Sequence, residues 1–383
     1  MSDTEVAATA EERKPGWLEL FYDLAVVAAL AASNDSFIED PTVKSGIFAV
    51  LSLAALFSFW LLTSLVHNRF PVDGLLYRVL LLIQMSGILL AAVALNAGTS
   101  TSWRYGLLAM AIALVTISCM FALAWVRVRQ PVPGIRVSII SPLLGAAACL
   151  VALALPREQL AWSLTAVIAI TLVPIFFTLS KNKADVFRIH ANHLRERLGL
   201  LLLIAIGEGF IQLVARMTNA TQGVDYRLFA LVMIFNFSIA AFYFDDVFAE
   251  HKKPNPRAWR TTVFAHFLLL VGVGAAADEM AIFAGSDSSI WPPDSAGLFA
   301  LAIGALLVGL TILEWNTLGR LAPLDIAQCL LAAGVIGYGV IEIAIQQSQT
   351  RAGVFALTLI FIAWALMRVG LKLRNTRSRV APV

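Results

Sequence analysis

Residues 16–30 read GWLELFYDLAVVAAL, an apolar stretch long enough to enter a bilayer that nevertheless carries Glu19 and Asp23. A carboxylate in a membrane helix costs about 3 kcal/mol on insertion scales. Two of them, four residues apart, need a reason. They share a helix face with Val27 and Ala31. For Glu19 the bland reading is good: it lies in the first turn, where its charge suits the helix dipole and reaches interfacial water. Asp23 is a full turn deeper, so it is expected to face a polar cavity or an arginine.

The rest of the chain repeats the apolar theme. Of its 383 residues 59% are hydrophobic and only 14% charged, with a mean hydropathy of +0.81, against about 25% charged in a soluble domain. The charges cluster between apolar runs of about 20 residues, the length that crosses a hydrocarbon core. Twelve runs qualify, near 17–35, 45–66, 75–96, 104–126, 136–155, 159–180, 198–217, 227–247, 260–284, 296–313, 323–345 and 352–370. The fold class is therefore an all-α polytopic membrane bundle.

Charge asymmetry orients it. With the N-terminus inside, the outer segments hold six basic residues, Lys44, Arg104, Arg157, Arg216, Arg227 and Arg351, and the inner segments the other 22 of 28. That bias favours a multi-pass plasma-membrane protein with both termini cytoplasmic. The net charge of +3 is a topology signal and not a nucleic-acid footprint. The polar, acidic first residues do not read as a signal peptide. Cys119, Cys149 and Cys329 fall inside spans as small buried residues.

No hydrophilic segment is large enough to fold alone, so function is expected within the bundle or at its rims. The chain divides into a polar tail (1–16), a six-helix half (17–180), a linker (181–197), a second half (198–370) and a basic tail (371–383). The halves resemble each other weakly. Glu12-Arg13 and Glu196-Arg197 are 184 apart, and Arg78 and Arg260 are 182 apart, each followed six positions on by a polar residue (Gln84, His266). Copies separated by six spans would form a parallel repeat.

Polar residues inside the spans mark the candidate site. Glu208 lies between Gly207 and Gly209 in span seven; it is either a hydrogen-bonded packing residue or a cavity-facing carboxyl. His266 sits two turns inside Arg260. FYFDDVFAEHKK (242–253) ends span eight with Asp245, Asp246 and Glu250, a D-D-x-x-x-E arrangement that can hold Mg²⁺ against phosphate oxygens, or is simply an acidic helix end beside Lys252, Lys253 and Arg257. His190 and His193 have helical ligand spacing but sit in a basic loop. Asp278 and Glu279 read as a solvated outer rim or, alternatively, an acidic outer vestibule. The cavity set is thus Glu19, Asp23, Glu208, His266 and Tyr243, with Arg78, Arg197 and Arg260 as counter-charges.

At these same residues the sequence resembles the bacterial low temperature requirement protein A family. The matching pieces are WLELFYDLAVVAAL (17–30), HLRERLGLLLLIAIGEGF (193–210) and YFDDVFAEHKKPNPRAWRTTVFAHFLLLVGV (243–273). The resemblance marks Glu19, Asp23, Arg197, Glu208, Asp245 and His266; the chain departs from the pattern in having Asp246 directly after Asp245. The family name records a cold-growth phenotype and brings no substrate. Two functions are expected from the residues. The first is a proton-coupled transporter of a small solute, without cofactor. The alternative is a membrane-embedded enzyme using Mg²⁺ on a lipidic or prenyl-diphosphate substrate.

Overall fold

The computed structural model describes residues 16–39, 41–70, 73–97, 101–128, 132–179, 189–218, 225–248, 258–285, 290–291, 294–345 and 349–380. Among these are twelve α-helices: α1 Trp17–Glu39, α2 Val43–Arg69, α3 Leu75–Asn96, α4 Ser102–Val128, α5 Ile135–Ala152, α6 Leu160–Leu179, α7 Ala191–Thr218, α8 Tyr226–Ala241, α9 Trp259–Gly285, α10 Ser295–Leu318, α11 Pro323–Ile345 and α12 Arg351–Val380. Each coincides with one of the twelve apolar runs. The only β-structure among the described residues is a two-residue antiparallel pairing, Ile290–Trp291 with Gln349–Thr350.

Among the described residues eleven segments are long and apolar enough to cross a membrane. Helix α1, counted in the sequence as the first of twelve spans, is not among them. It runs for 23 residues and carries Glu19 and Asp23 near its start. The reason those acids are tolerated is visible in which face they occupy. Glu19, Tyr22, Asp23 and Val26, at i, i+3, i+4 and i+7, are buried, whereas Trp17, Leu20, Phe21 and Leu24 are exposed. The helix turns its carboxylates inward and its large apolar side chains outward, as a bilayer requires.

Contacts divide the chain into two units. The first comprises Met1–Ser33, Leu51–Leu201 and Pro254–Trp259; the second comprises Asn34–Val50, Leu202–Lys253 and Arg260–Val383. The first therefore holds α3 to α6 with most of α1 and α2 and the start of α7. The second holds α8 and α10 to α12, nearly all of α9, and the remainder of α7.

Local chemistry sets several helix ends. Asp225 caps α8 by accepting from the Arg227 and Leu228 N–H groups at 3.0 and 3.2 Å, filling two of the donors a helix start leaves open. Helix α10 stops at Gly319, whose left-handed φ of 68° lets its N–H return to the Trp315 carbonyl; a side chain there would be strained. Helix α8 passes into a π-helical turn over Phe242–Phe248, a widening often found at functional sites.

In the second unit, α10 and α11 approach through glycine. A Cβ added at Gly297 would lie 2.8 Å from the Gly339 carbonyl oxygen, and one at Gly339 would lie 2.8 Å from that of Gly297. Backbone cannot yield there as a side chain would. Either Gly297→Ala or Gly339→Ala should lower stability by about 1–3 kcal/mol, read as the midpoint of thermal or denaturant unfolding in detergent. Gly334→Ala, on α11 with nothing within 4 Å, should leave the midpoint unchanged.

Candidate functional site: a buried arginine between two carboxylates

In the first unit the inward face of α1 meets α7. Arg197 is fully buried. Its Nη2 donates to Asp23 Oδ1, and its Nη1 lies 3.4 Å from Glu19 Oε2. Trp60 of α2 donates its indole N–H to the same Asp23 oxygen at 2.6 Å and places its ring 5.4 Å beneath the guanidinium. Asp23 thus receives two donors on Oδ1 and a cation beside it, while its buried Oδ2 accepts no hydrogen bond among the described residues. The opening puzzle is resolved here: the partner of Asp23 is Arg197.

Two histidines interact with Glu19. His193 Nε2 is 3.5 Å from Glu19 Oε2, while its Nδ1 is 3.2 Å from the amide nitrogen of Asn68. His67 lies within electrostatic reach of Glu19, with Nδ1 3.0 Å from the Thr63 carbonyl and Nε2 2.6 Å from the Tyr77 hydroxyl. Gln84 ties the cluster together, donating to Thr63 Oγ1 at 2.6 Å and to Tyr22 Oη at 3.1 Å. With neutral histidines, two carboxylates face one guanidinium, leaving this cluster with a net charge of minus one.

Arg78 does not join this cluster. Helix α3 begins at Leu75, so Arg78 occupies its first turn and turns outward, half-exposed and 3.1 Å from Asp73. The Gly74 N–H and then the Arg78 guanidinium hold the Asp73 carboxyl below the usual carboxylate range.

In the second unit Glu208 is half-buried, with Gln212 one turn on along α7. A Cβ on its neighbour Gly209 would lie 3.2 Å from Asn236 Oδ1 and 3.3 Å from Ala277 Cβ, so the glycine permits close packing beside the acid. Tyr243, on the π-helical turn, meets His266 Nε2 at 2.8 Å, and His266 Nδ1 is 2.7 Å from the Thr262 carbonyl. This is the same construction as His67 with Tyr77. Arg260 sits half-buried in the first turn of α9.

The sequence reading passed over a second buried arginine. Arg368 of α12 donates to Asp325 at 2.9 Å, pairs with Glu314, and lies 5.7 Å from the Phe242 ring centre. Glu314 in an otherwise apolar helix was a usable signal. Asp325 was not, because in the first turn of α11 it resembles a cap, and it does bond the Ala322 N–H at 2.7 Å. Asp278 and Glu279, expected on a solvated rim, are buried. Helix α9 runs on to Gly285, which keeps both acids more than a turn inside its end.

The acidic cluster at the end of α8 is only partly described. Asp245 is exposed; the side chain of Asp246 and all of Glu250 lie outside the described residues. Among the described residues no group of three or more His, Cys, Asp and Glu side chains is placed to hold a metal ion.

Removing one member of a buried ion pair strands the other, at about 3–5 kcal/mol. Arg197→Met should cost that much in unfolding free energy. Asp23→Asn combined with Arg197→Met should cost less than the sum of the two single changes, the coupling a double-mutant cycle measures. Arg197→Lys should also destabilise, because a single ammonium does not reach both carboxylates as the forked guanidinium does.

No curated protein matches the chain. The family model described as Bacterial low temperature requirement A protein (LtrA) matches residues 14–374, nearly the whole sequence. With its apolar helices and inward-facing acids, the chain belongs to the LtrA family of multi-pass membrane proteins.

Proposed function

We propose that the protein is a proton-coupled secondary transporter of a small solute, with both termini cytoplasmic. The observation that carries this reading is the Glu19–Arg197–Asp23 cluster. Two acids and one base sit buried in helices of a membrane protein, and the surplus carboxylate favours uptake of a proton or another cation. A coupling site needs a group that alternates between charged and neutral states at modest cost, and a cluster held one charge from neutrality supplies it. Glu208 is the corresponding candidate in the second unit, with Tyr243 and His266 as a polar pair and Arg260 as a nearby basic residue. The parallel six-helix repeat remains part of this proposal, as the architecture that would present one such cluster in each half.

The test is solute-driven proton flux. Proteoliposomes containing a pH-sensitive dye, exposed to a panel of small solutes, should show proton movement with the transported class. Asp23→Asn and Glu208→Gln should each reduce that flux at least tenfold in folded protein. Unchanged flux in both variants overturns the assignment.

The enzyme reading rests on Asp245, Asp246 and Glu250 binding Mg²⁺. Mg²⁺-dependent thermal stabilisation by a prenyl diphosphate, lost in Asp246→Asn, would favour it; no response in wild type would leave transport as the better account. Orientation is tested separately, by reporter fusions at Arg351 and at the C-terminus, which should report opposite sides.

A further inference from the structure

His67 and His193 differ in which protonation states their partners allow. At His67, Nδ1 faces the Thr63 carbonyl, which only accepts, so Nδ1 carries a hydrogen. Nε2 faces the Tyr77 hydroxyl at 2.6 Å, and a hydroxyl either donates or accepts. Neutral His67 accepts from Tyr77; cationic His67 donates to it after the hydroxyl turns. Both states keep both hydrogen bonds.

At His193, Nδ1 faces the Asn68 amide nitrogen at 3.2 Å, which only donates. The orientation of that amide is fixed independently. Asn68 Oδ1 accepts the His190 N–H at 2.8 Å while Nδ2 donates to the His190 carbonyl at 2.9 Å. Flipping the amide would set donor against donor and acceptor against acceptor at His190. His193 Nδ1 is therefore bare, the ring hydrogen is on Nε2, and that nitrogen is the one facing Glu19. A second proton on His193 would meet the Asn68 NH₂ head-on.

We propose that His67, through Nε2 and Tyr77, is the proton-accepting group of the Glu19 cluster, and that Asn68 fixes His193 in the tautomer whose Nε2–H faces Glu19. The groups concerned are Glu19 and Asp23 from α1, Tyr77 from α3, and His193 and Arg197 from α7. One proton on His67 brings two carboxylates, one guanidinium and one imidazolium to zero net charge, so the cluster takes up a single proton. Asn68 is a positioning residue: its effect on the proton site passes through His193. The proposal rests on the proton-coupled reading for its biological meaning, but not for its test.

Nitrogen-15 shifts of imidazole distinguish the two neutral tautomers from the cation, and the chain has only five histidines. The full protein, ¹⁵N-histidine-labelled in nanodiscs, should be titrated from about pH 8 to about pH 5, a range that brackets the ordinary histidine pKa. His67→Gln and His193→Gln assign the two signals. His67 should pass from the Nδ1–H tautomer to the cation, and His193 should stay neutral with its hydrogen on Nε2. Asn68→Asp replaces the donor with an acceptor and should move the His193 hydrogen to Nδ1. The proposal is overturned if His193 carries its hydrogen on Nδ1, if it charges at or above the pH at which His67 does, or if His67 stays neutral throughout. The wild-type titration decides this without the aspartate variant. Failure of the transport reading would leave these nitrogen shifts as they are, and failure here would leave solute-driven flux through Asp23 and Glu208 standing.

Discussion

A guanidinium with no contact with water is tolerated inside an apolar helical unit only if anions meet it, and the first unit is organised around neutralising the charge of Arg197. Asp23 supplies one oxygen directly, Glu19 supplies a second at 3.4 Å, and the Trp60 ring covers a face of the guanidinium. Each partner comes from a particular helix, which fixes the facing of all three. Helix α1 must present its 19–23 face inward, α2 must bring Trp60 beneath the pair, and α7 must run so that Arg197 projects between them. The acids in α1 are thus a packing instruction as much as a chemical group. Buried ion pairs are seldom net stabilisers compared with apolar packing, so a cluster of this kind points to use beyond holding the helices together.

The second unit solves related problems with different residues. Arg368 lies between Glu314 and Asp325, and a glutamine amide again donates to a threonine hydroxyl on the preceding helix, Gln328 to Thr311 at 2.9 Å. Both units contain a buried histidine bonded to the carbonyl of the threonine four residues earlier and to a tyrosine hydroxyl. His67 and His266 are 199 positions apart, whereas the weak sequence repeat has a shift of 182 to 184. The two Tyr–His pairs therefore express a shared local rule, Thr-x-x-x-His on one helix with a tyrosine in reach, and lend that repeat no register.

The rim of the first unit is held by side chains reaching backbone. Asn68 bonds both polar groups of His190, Arg69 donates to the Pro133 carbonyl at 3.3 Å, and Arg127 donates to the Asp73 carbonyl. These contacts satisfy peptide groups that loops leave open. Through Asn68 they also join the entry to α7 to the histidine beside Glu19. Loop position and cluster chemistry are coupled there by three hydrogen bonds from one side chain.

The sequence by itself determined the helices and the membrane setting. Apolar runs of about 20 residues leave the backbone no other way to satisfy its hydrogen bonds in lipid, and each of the twelve runs is a helix. It also marked Glu19, Asp23, Glu208, Tyr243 and His266, because polar groups in such runs are costly enough to stand out, and Arg197 through the weak repeat and the family resemblance. Tertiary structure alone decided who meets whom. Arg78 and Arg197 were equally available as partners for Asp23, and only the rotation of α3 and α7 about their axes sends one outward and the other in. Trp60, Asn68, His67 and Tyr77 carried no signal of their own, since an aromatic or a polar residue near a helix end is ordinary. Arg368 with Glu314 and Asp325 stayed hidden for a related reason: the three lie on three different helices, and helical periodicity records which face a residue occupies but not which helix lies against that face.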